Sequence, residues 1–115
     1  MPERFAVLMG RDTLILPALW FGARGAVPAT GNIAPALLVQ IYECFRKGDL
    51  EAAKAAQLRL NPLRLALGLC TAPGAVKAAL NLLGMPQGPC RSPVAGLAPE
   101  KVPQMRAALA QAGLL

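Results

Sequence analysis

The sequence contains no histidine, and its three cysteines, Cys44, Cys70 and Cys90, are widely spaced with no CxxC pair. That leaves too few ligands of the usual kinds for a zinc site, so no metal and no cofactor is expected. An odd number of scattered thiols also suits a reducing compartment better than an export route. Aromatic residues are scarce: Phe5, Trp20, Phe21, Tyr42 and Phe45 are the whole set, all in the first half. Acidic residues number 6 against 12 lysines and arginines, for a net charge of +6. The basic residues are nevertheless dispersed, with only Arg46 and Lys47 adjacent. No basic run alternates with aromatics as a single-strand platform requires, so solvated helix faces are expected and no nucleic acid. The most apolar stretch, residues 13–23, is interrupted by Pro17 and stopped by Arg24. A membrane span needs about 20 apolar residues, so no membrane association is expected either. Met1-Pro2-Glu3-Arg4 lacks the basic start and apolar core of a signal peptide. The expectation is a soluble, cytoplasmic protein.

What the sequence has in excess is alanine and leucine, a composition that favours helices. Apolar residues make up 55% of the 115, and mean hydropathy is +0.44. A chain this short buries a modest share of its surface. One this apolar has trouble covering itself, which points to membership of something larger.

Phe5-Ala6-Val7-Leu8-Met9 is an unbroken apolar run ending at Gly10, the pattern of a parallel strand covered on both faces. Gly10-Arg11-Asp12 turns the chain, and the Asp12 carboxylate is suited to cap a helix. That helix, over about 13–21, carries Leu14, Ala18 and Phe21 along one face, with Pro17 tolerable in its first turn. Gly22 to Gly25 closes it. Ala26-Val27-Pro28-Ala29-Thr30 reads as a second short buried strand, and Pro28 marks its end. Gly31-Asn32 turns the chain again, and Pro35 opens a helix in which Leu38, Ile41, Tyr42 and Phe45 recur at helical spacing up to Lys47-Gly48. Strand, helix, strand, helix is the rhythm of a parallel α/β fold.

Beyond Asp49, a capping residue, the rhythm changes. Leu50, Ala53, Gln57, Leu60, Leu63 and Leu67 lie near one stripe, and Pro62 is expected to kink or split that helix. Another helix runs from Ala75 to Leu83 and is stopped by Gly84 and Pro86. Residues 85–99 read as a loop. The last helix starts near Pro99-Glu100, with Val102, Arg106 and Leu109 along it; Pro103 must lie in its first turn, or the start falls a few residues later. Nothing after residue 49 reads as a strand. The expected division is therefore 1–48, two βα units, and 49–115, a helical extension. Two strands do not make a stable sheet alone, so their faces and edges need partners.

Several segments carry a family resemblance. Val7-Leu8-Met9-Gly10-Arg11-Asp12 resembles the end of the seventh barrel strand in the dihydrodipicolinate synthase / N-acetylneuraminate lyase family, an apolar run followed by Gly-x-Asp. Gly25-Ala26-Val27-Pro28-Ala29-Thr30-Gly31-Asn32 resembles that family's eighth strand and its exit. Asn32-Ile33-Ala34-Pro35, Tyr42 and Phe45-Arg46-Lys47-Gly48-Asp49 are similar to its last barrel helix and the following turn. Pro73-Gly74-Ala75-Val76-Lys77-Ala78-Ala79-Leu80, Leu83-Gly84, Arg91-Ser92-Pro93 and Ala112-Gly113-Leu114-Leu115 resemble its C-terminal extension. Pro28 and Gly31 depart from the family pattern near the eighth strand, and Ala98 replaces the usual hydroxyl cap before Pro99-Glu100.

The resemblance implies an α/β fold: the C-terminal part of a TIM (β/α)8 barrel, its last two βα units, plus a C-terminal helical extension. A complete barrel takes about 250 residues. It also implies a class I lyase or aldolase in which a sixth-strand lysine forms an imine with pyruvate or another 2-keto acid, and a tyrosine handles protons. By resemblance both residues fall upstream, so no catalytic residue is expected in this chain. Lys47, Lys54, Lys77 and Lys101 all fall on helices, away from the strand ends where barrel chemistry collects. Lys77, between Val76 and Ala78, is the most suggestive, although a lysine whose stem lies along apolar surface is the commoner arrangement.

Two residues are expected to bind substrate. Gly10 ends the seventh strand, its backbone near the keto acid, and Val27 holds the eighth-strand position that approaches it. The plainer alternatives are a tight turn for Gly10 and a barrel-core side chain for Val27. Thr30 and Asn32 are lesser candidates, with helix capping the favoured role for Asn32. The family implies a homo-oligomer. The competing reading is a non-catalytic helical module that oligomerises through the surface the barrel normally covers.

Overall fold

The computed structural model describes residues 4–115; the reading of the first three residues as a start without a leader lies outside them. The chain forms two compact units, one ending at Asn61 and one beginning at Pro62. In the first, β1 (Leu8–Met9) and β2 (Gly25–Ala26) pair in parallel, Leu8 opposite Gly25 and Met9 opposite Ala26. The amides of Arg24 and Val27 donate to the carbonyls of Val7 and Met9 at 2.8 and 2.9 Å. Both strands are shorter than the apolar runs that encode them. Pro28 has no amide to continue β2, and Ala29–Asn32 winds into a 3-10 turn instead. Among the described residues no third strand pairs with either one.

The crossover between them is a 3-10 turn, Asp12–Leu14, followed by α1 (Ile15–Trp20). This corrects the expected face. Ile15, Ala18 and Leu19 are buried, whereas Leu14, Trp20 and Phe21 are exposed. The tighter 3-10 turn rotates the helix that follows it, since three residues rather than 3.6 complete a turn. Helix α2 (Pro35–Arg46) packs on α1 and buries Leu37 and Ile41. It stops at Gly48, whose φ of +80° lets the Gly48 and Asp49 amides reach back to the carbonyls of Phe45 and Cys44 at 3.0 and 2.9 Å.

Helix α3 (Leu50–Ala66) begins where the Asp49 carboxylate accepts the Ala52 amide at 3.0 Å. It runs on through Pro62 rather than splitting there. The amide that proline lacks would have met the carbonyl of Leu58, which lies on the exposed side of the helix, where water can take the bond.

In the second unit α3 ends in a 3-10 turn, Leu67–Leu69, followed by α4 (Gly74–Leu82) and α5 (Val102–Gln111), which pack together. Helix α4 closes on Gly84 (φ +79°), with the Met85 amide bonded to the Leu80 carbonyl at 2.9 Å. Pro103 falls in the first turn of α5. The inward face of α5 is Met105, Ala108 and Leu109, continued by the buried C-cap residue Ala112; Arg106, one step around the helix, is exposed. No helix among the described residues is long and apolar enough to cross a membrane.

Candidate functional site

Gly10 and Val27 sit at the carboxyl ends of β1 and β2, and the Val27 amide bond to Met9 sets these ends side by side. Val27 is 71% exposed. A Cβ added at Gly10 would meet nothing within 4 Å. The two positions thus form an open shelf: bare backbone at Gly10 beside an apolar side chain at Val27.

A buried polar network ties together the turns that leave the two strands. Asp12 Oδ2 accepts the Thr30 hydroxyl at 2.6 Å and the Thr30 amide at 2.9 Å. Gln57, reaching in from α3, donates Nε2 to the Asp12 carbonyl at 2.9 Å and to Asn61 Oδ1 at 2.8 Å. Its Oε1 accepts the Leu16 amide at 3.0 Å, satisfying a donor in the first turn of α1. Asp12, Thr30 and Gln57 are all buried, and among the described residues no buried side-chain polar atom lacks a partner. The network holds strand ends in place, buried at Asp12, Thr30 and Gln57 and partly exposed at Asn61.

This reassigns three residues. Asp12 does not stand at the N-cap of α1, which is Leu14; it lies inside the 3-10 turn, and its Oδ2 accepts from Thr30. Thr30 is 0% exposed, and its hydroxyl is donated to Asp12, so it braces the strand exit. Asn32 does not cap α2, whose N-cap is Ala34; its Nδ2 folds back to the Ala29 carbonyl at 3.1 Å. Gln57 joins the site although helical periodicity assigns it only to a packing stripe. It is a lone amide on the leucine and alanine stripe of α3, and a buried amide requires partners.

None of the lysines stands at a strand end. Lys47 and Lys54 are exposed, at the close of α2 and on α3. Lys77 Nζ donates to the carbonyls of Pro89 at 3.0 Å and Gln87 at 3.5 Å. Lys101 Nζ donates to the Leu69 carbonyl at 2.9 Å, at the end of the 3-10 turn that follows α3. Lys77 and Lys101 therefore hold backbone. Among the described residues no three His, Cys, Asp or Glu side chains gather to hold a metal.

Known proteins resemble this chain in sequence and fold. The sequence pattern of the Dihydrodipicolinate synthetase family matches residues 1–112. The 4-hydroxy-tetrahydrodipicolinate synthase of Methanoculleus marisnigri is 40% identical over 111 residues, covering 96% of this chain and 38% of that protein. The solved dihydrodipicolinate synthase of Thermotoga maritima superposes with a TM-score of 0.92 at 32% identity, covering 99% of this chain and 39% of that one. A solved monomeric dihydrodipicolinate synthase variant superposes with a TM-score of 0.93, also at 32% identity, covering 99% and 38%. The chain spans 38% of the length of the curated relative.

Proposed function

Because the chain belongs to the Dihydrodipicolinate synthetase family, we propose that it supplies the C-terminal part of a lyase that acts on pyruvate or a related 2-keto acid through a Schiff base. The observation that carries this reading is the shelf of Gly10 and Val27 at the carboxyl ends of two parallel strands, where barrel enzymes collect their chemistry. On this reading β1 and β2 are the seventh and eighth strands of a (β/α)8 barrel, residues 1–48 are its last two βα units, and residues 49–115 are the helical extension. The working protein is a cytoplasmic homo-oligomer.

The chemistry divides accordingly. An imine-forming lysine must present a neutral amine to a carbonyl carbon. Lys77 and Lys101 are engaged with backbone carbonyls, and Lys47 and Lys54 stand on helices. As the family resemblance implies, the nucleophile belongs to a portion of the enzyme that precedes these strands, and on this reading the chain alone is inactive. Its part is to shape the pocket. Gly10 lets the keto acid lie against the backbone, and Val27 gives that acid an apolar wall. Asp12, Thr30 and Gln57 keep both positions in register.

The test is a graft. This chain replaces the matching segment of the Methanoculleus marisnigri synthase, and the product is treated with pyruvate and borohydride. A reduced pyruvate adduct on the host's lysine is expected. A folded graft that traps no pyruvate overturns the reading.

A second reading, a non-catalytic module that oligomerises, draws on the exposure of Leu8 in the two-stranded sheet and of Phe5 and Val27 in the chain flanking it. It requires the isolated chain to be a monodisperse oligomer with cooperative unfolding. Aggregation or molten behaviour favours the lyase portion instead.

A further inference from the structure

Cys70 packs against Gly74 at the start of α4, and Cys90 lines the cavity that Gly74 also lines. Cys70 follows the 3-10 turn Leu67–Leu69, and its Sγ lies 3.0 Å from where a Cβ on Gly74 would stand. The chain then runs along α4, turns at Gly84 and comes back as a loop. Lys77 pins that returning loop by donating to the Pro89 carbonyl, immediately before Cys90. Gly74 and Lys77 are three residues apart, neighbours on one helix face. Cys90 lines the same cavity of about 310 Å³ as Gly74, Lys77 and Gly96. Gly74 itself is closely roofed, since an added Cβ would lie 2.7 Å from the Ala95 carbonyl oxygen. Absence of a side chain at Gly74 is what leaves room for the Cys70 sulfur there.

We propose that Cys70 and Cys90 form a dithiol site that reacts with low-molecular-weight disulfides and closes to an intramolecular disulfide, fastening the 85–98 loop to the start of α4. The chemistry is two thiol–disulfide exchanges. Cys90 attacks the external disulfide R–S–S–R, forming a mixed disulfide and expelling one RSH. Cys70 then attacks the Cys90 sulfur, forming the Cys70–Cys90 bond and expelling the second RSH. The protein loses two electrons and two protons, and the external disulfide gains them. The order follows from surroundings: burial pushes the Cys70 thiol up, which makes it the slower first nucleophile. A charged Cys90 also raises the Cys70 thiol, by a smaller amount than burial does. Cys44, in α2, belongs to the other unit and has no part in this.

The experiment treats the full chain with oxidised glutathione and reads its intact mass and tryptic map. The expected product has lost the mass of two hydrogen atoms, and peptide 65–77 is joined to peptide 78–91. Dithiothreitol restores the separate peptides. Persistent glutathione adducts on Cys70 and Cys90 without a cross-link overturn the proposal, as does a cross-link through peptide 25–46, which holds Cys44. A probe that needs no oxidation gives an independent reading. Phenylarsine oxide, which bridges paired thiols, should bind the reduced wild-type chain at one equivalent and bind the C44S variant equally well. Failure to bind the wild-type chain also overturns the proposal.

Discussion

Thr30 and Asp12, eighteen residues apart in sequence, meet through two hydrogen bonds to a single carboxylate oxygen, the shorter of them 2.6 Å from the Thr30 hydroxyl. The contact joins the turn after β1 to the turn after β2, and so fixes the spacing of Gly10 and Val27. Thr30→Val removes the hydroxyl donor from a buried carboxylate and is expected to cost about 1.5–3 kcal/mol. Thr30→Ser should retain most of the stability. Urea unfolding of the two variants checks this; equal midpoints for valine and wild type would contradict it.

Gln57 satisfies three groups at once: the Leu16 amide, the Asp12 carbonyl and Asn61 Oδ1. Gln57→Leu fits the apolar stripe of α3 but orphans buried polar groups, at about 1–3 kcal/mol each. The Leu16 amide should then exchange its hydrogen faster, more than amides of α2 do. Native-state hydrogen exchange reads the difference directly.

Two glycines should answer alanine in opposite ways. At Gly74 the new Cβ meets the Ala95 carbonyl oxygen and Cys70 Sγ at 2.7 and 3.0 Å, an overpacking expected to cost about 1–3 kcal/mol. At Gly10 it meets nothing within 4 Å, so stability should hold. Gly10→Ala should instead act on the ligand. In the grafted enzyme it is expected to raise KM for pyruvate at least about tenfold, equivalent to about 1.4 kcal/mol of lost binding. Thermal melts and steady-state kinetics on the two variants separate these effects.

Cys70 gives a prediction in pH. Burial is the larger influence raising its thiol above the usual 9.0 and the Cys90 charge the lesser, while the Lys101 ammonium pulls the other way. A raised pKa means less thiolate at any pH below it, and the thiolate is the form that alkylates. Iodoacetamide should therefore label Cys70 in the folded chain more slowly at pH 8 than in urea. The midpoint of its pH–rate curve should lie above 9.0 in the folded chain. Peptide mass spectrometry at timed intervals checks both.

Much of the helical part was legible because its punctuation is local. Gly48 and Gly84 end α2 and α4 through their own backbone conformation, and Pro35 and Asp49 begin α2 and α3. The parallel strand pair was legible as two apolar runs. Tertiary terms were not. The phase of α1 depends on a 3-10 turn that no periodicity announces, which put Leu14 and Phe21 on the wrong side. Asp12 has the chemistry of a cap, and only the return of Thr30 beside it decides otherwise. Pro62 is a breaker by local rules, yet the packing of Leu60 and Leu63 on the buried side carries α3 past it. At the shelf, the positions of Gly10 and Val27 followed from where the strands end, while the network that braces them depended on Gln57, distant in sequence.

The most direct test of the division of labour is the location of the pyruvate adduct. The 115-residue chain is incubated with pyruvate and borohydride, alone and after co-folding with the preceding portion of the Methanoculleus marisnigri synthase, and each product is mapped by mass spectrometry. The expected result is an unlabelled chain in both samples, with the adduct on a lysine of the added portion. An adduct on Lys47, Lys54, Lys77 or Lys101 of the isolated chain would contradict it.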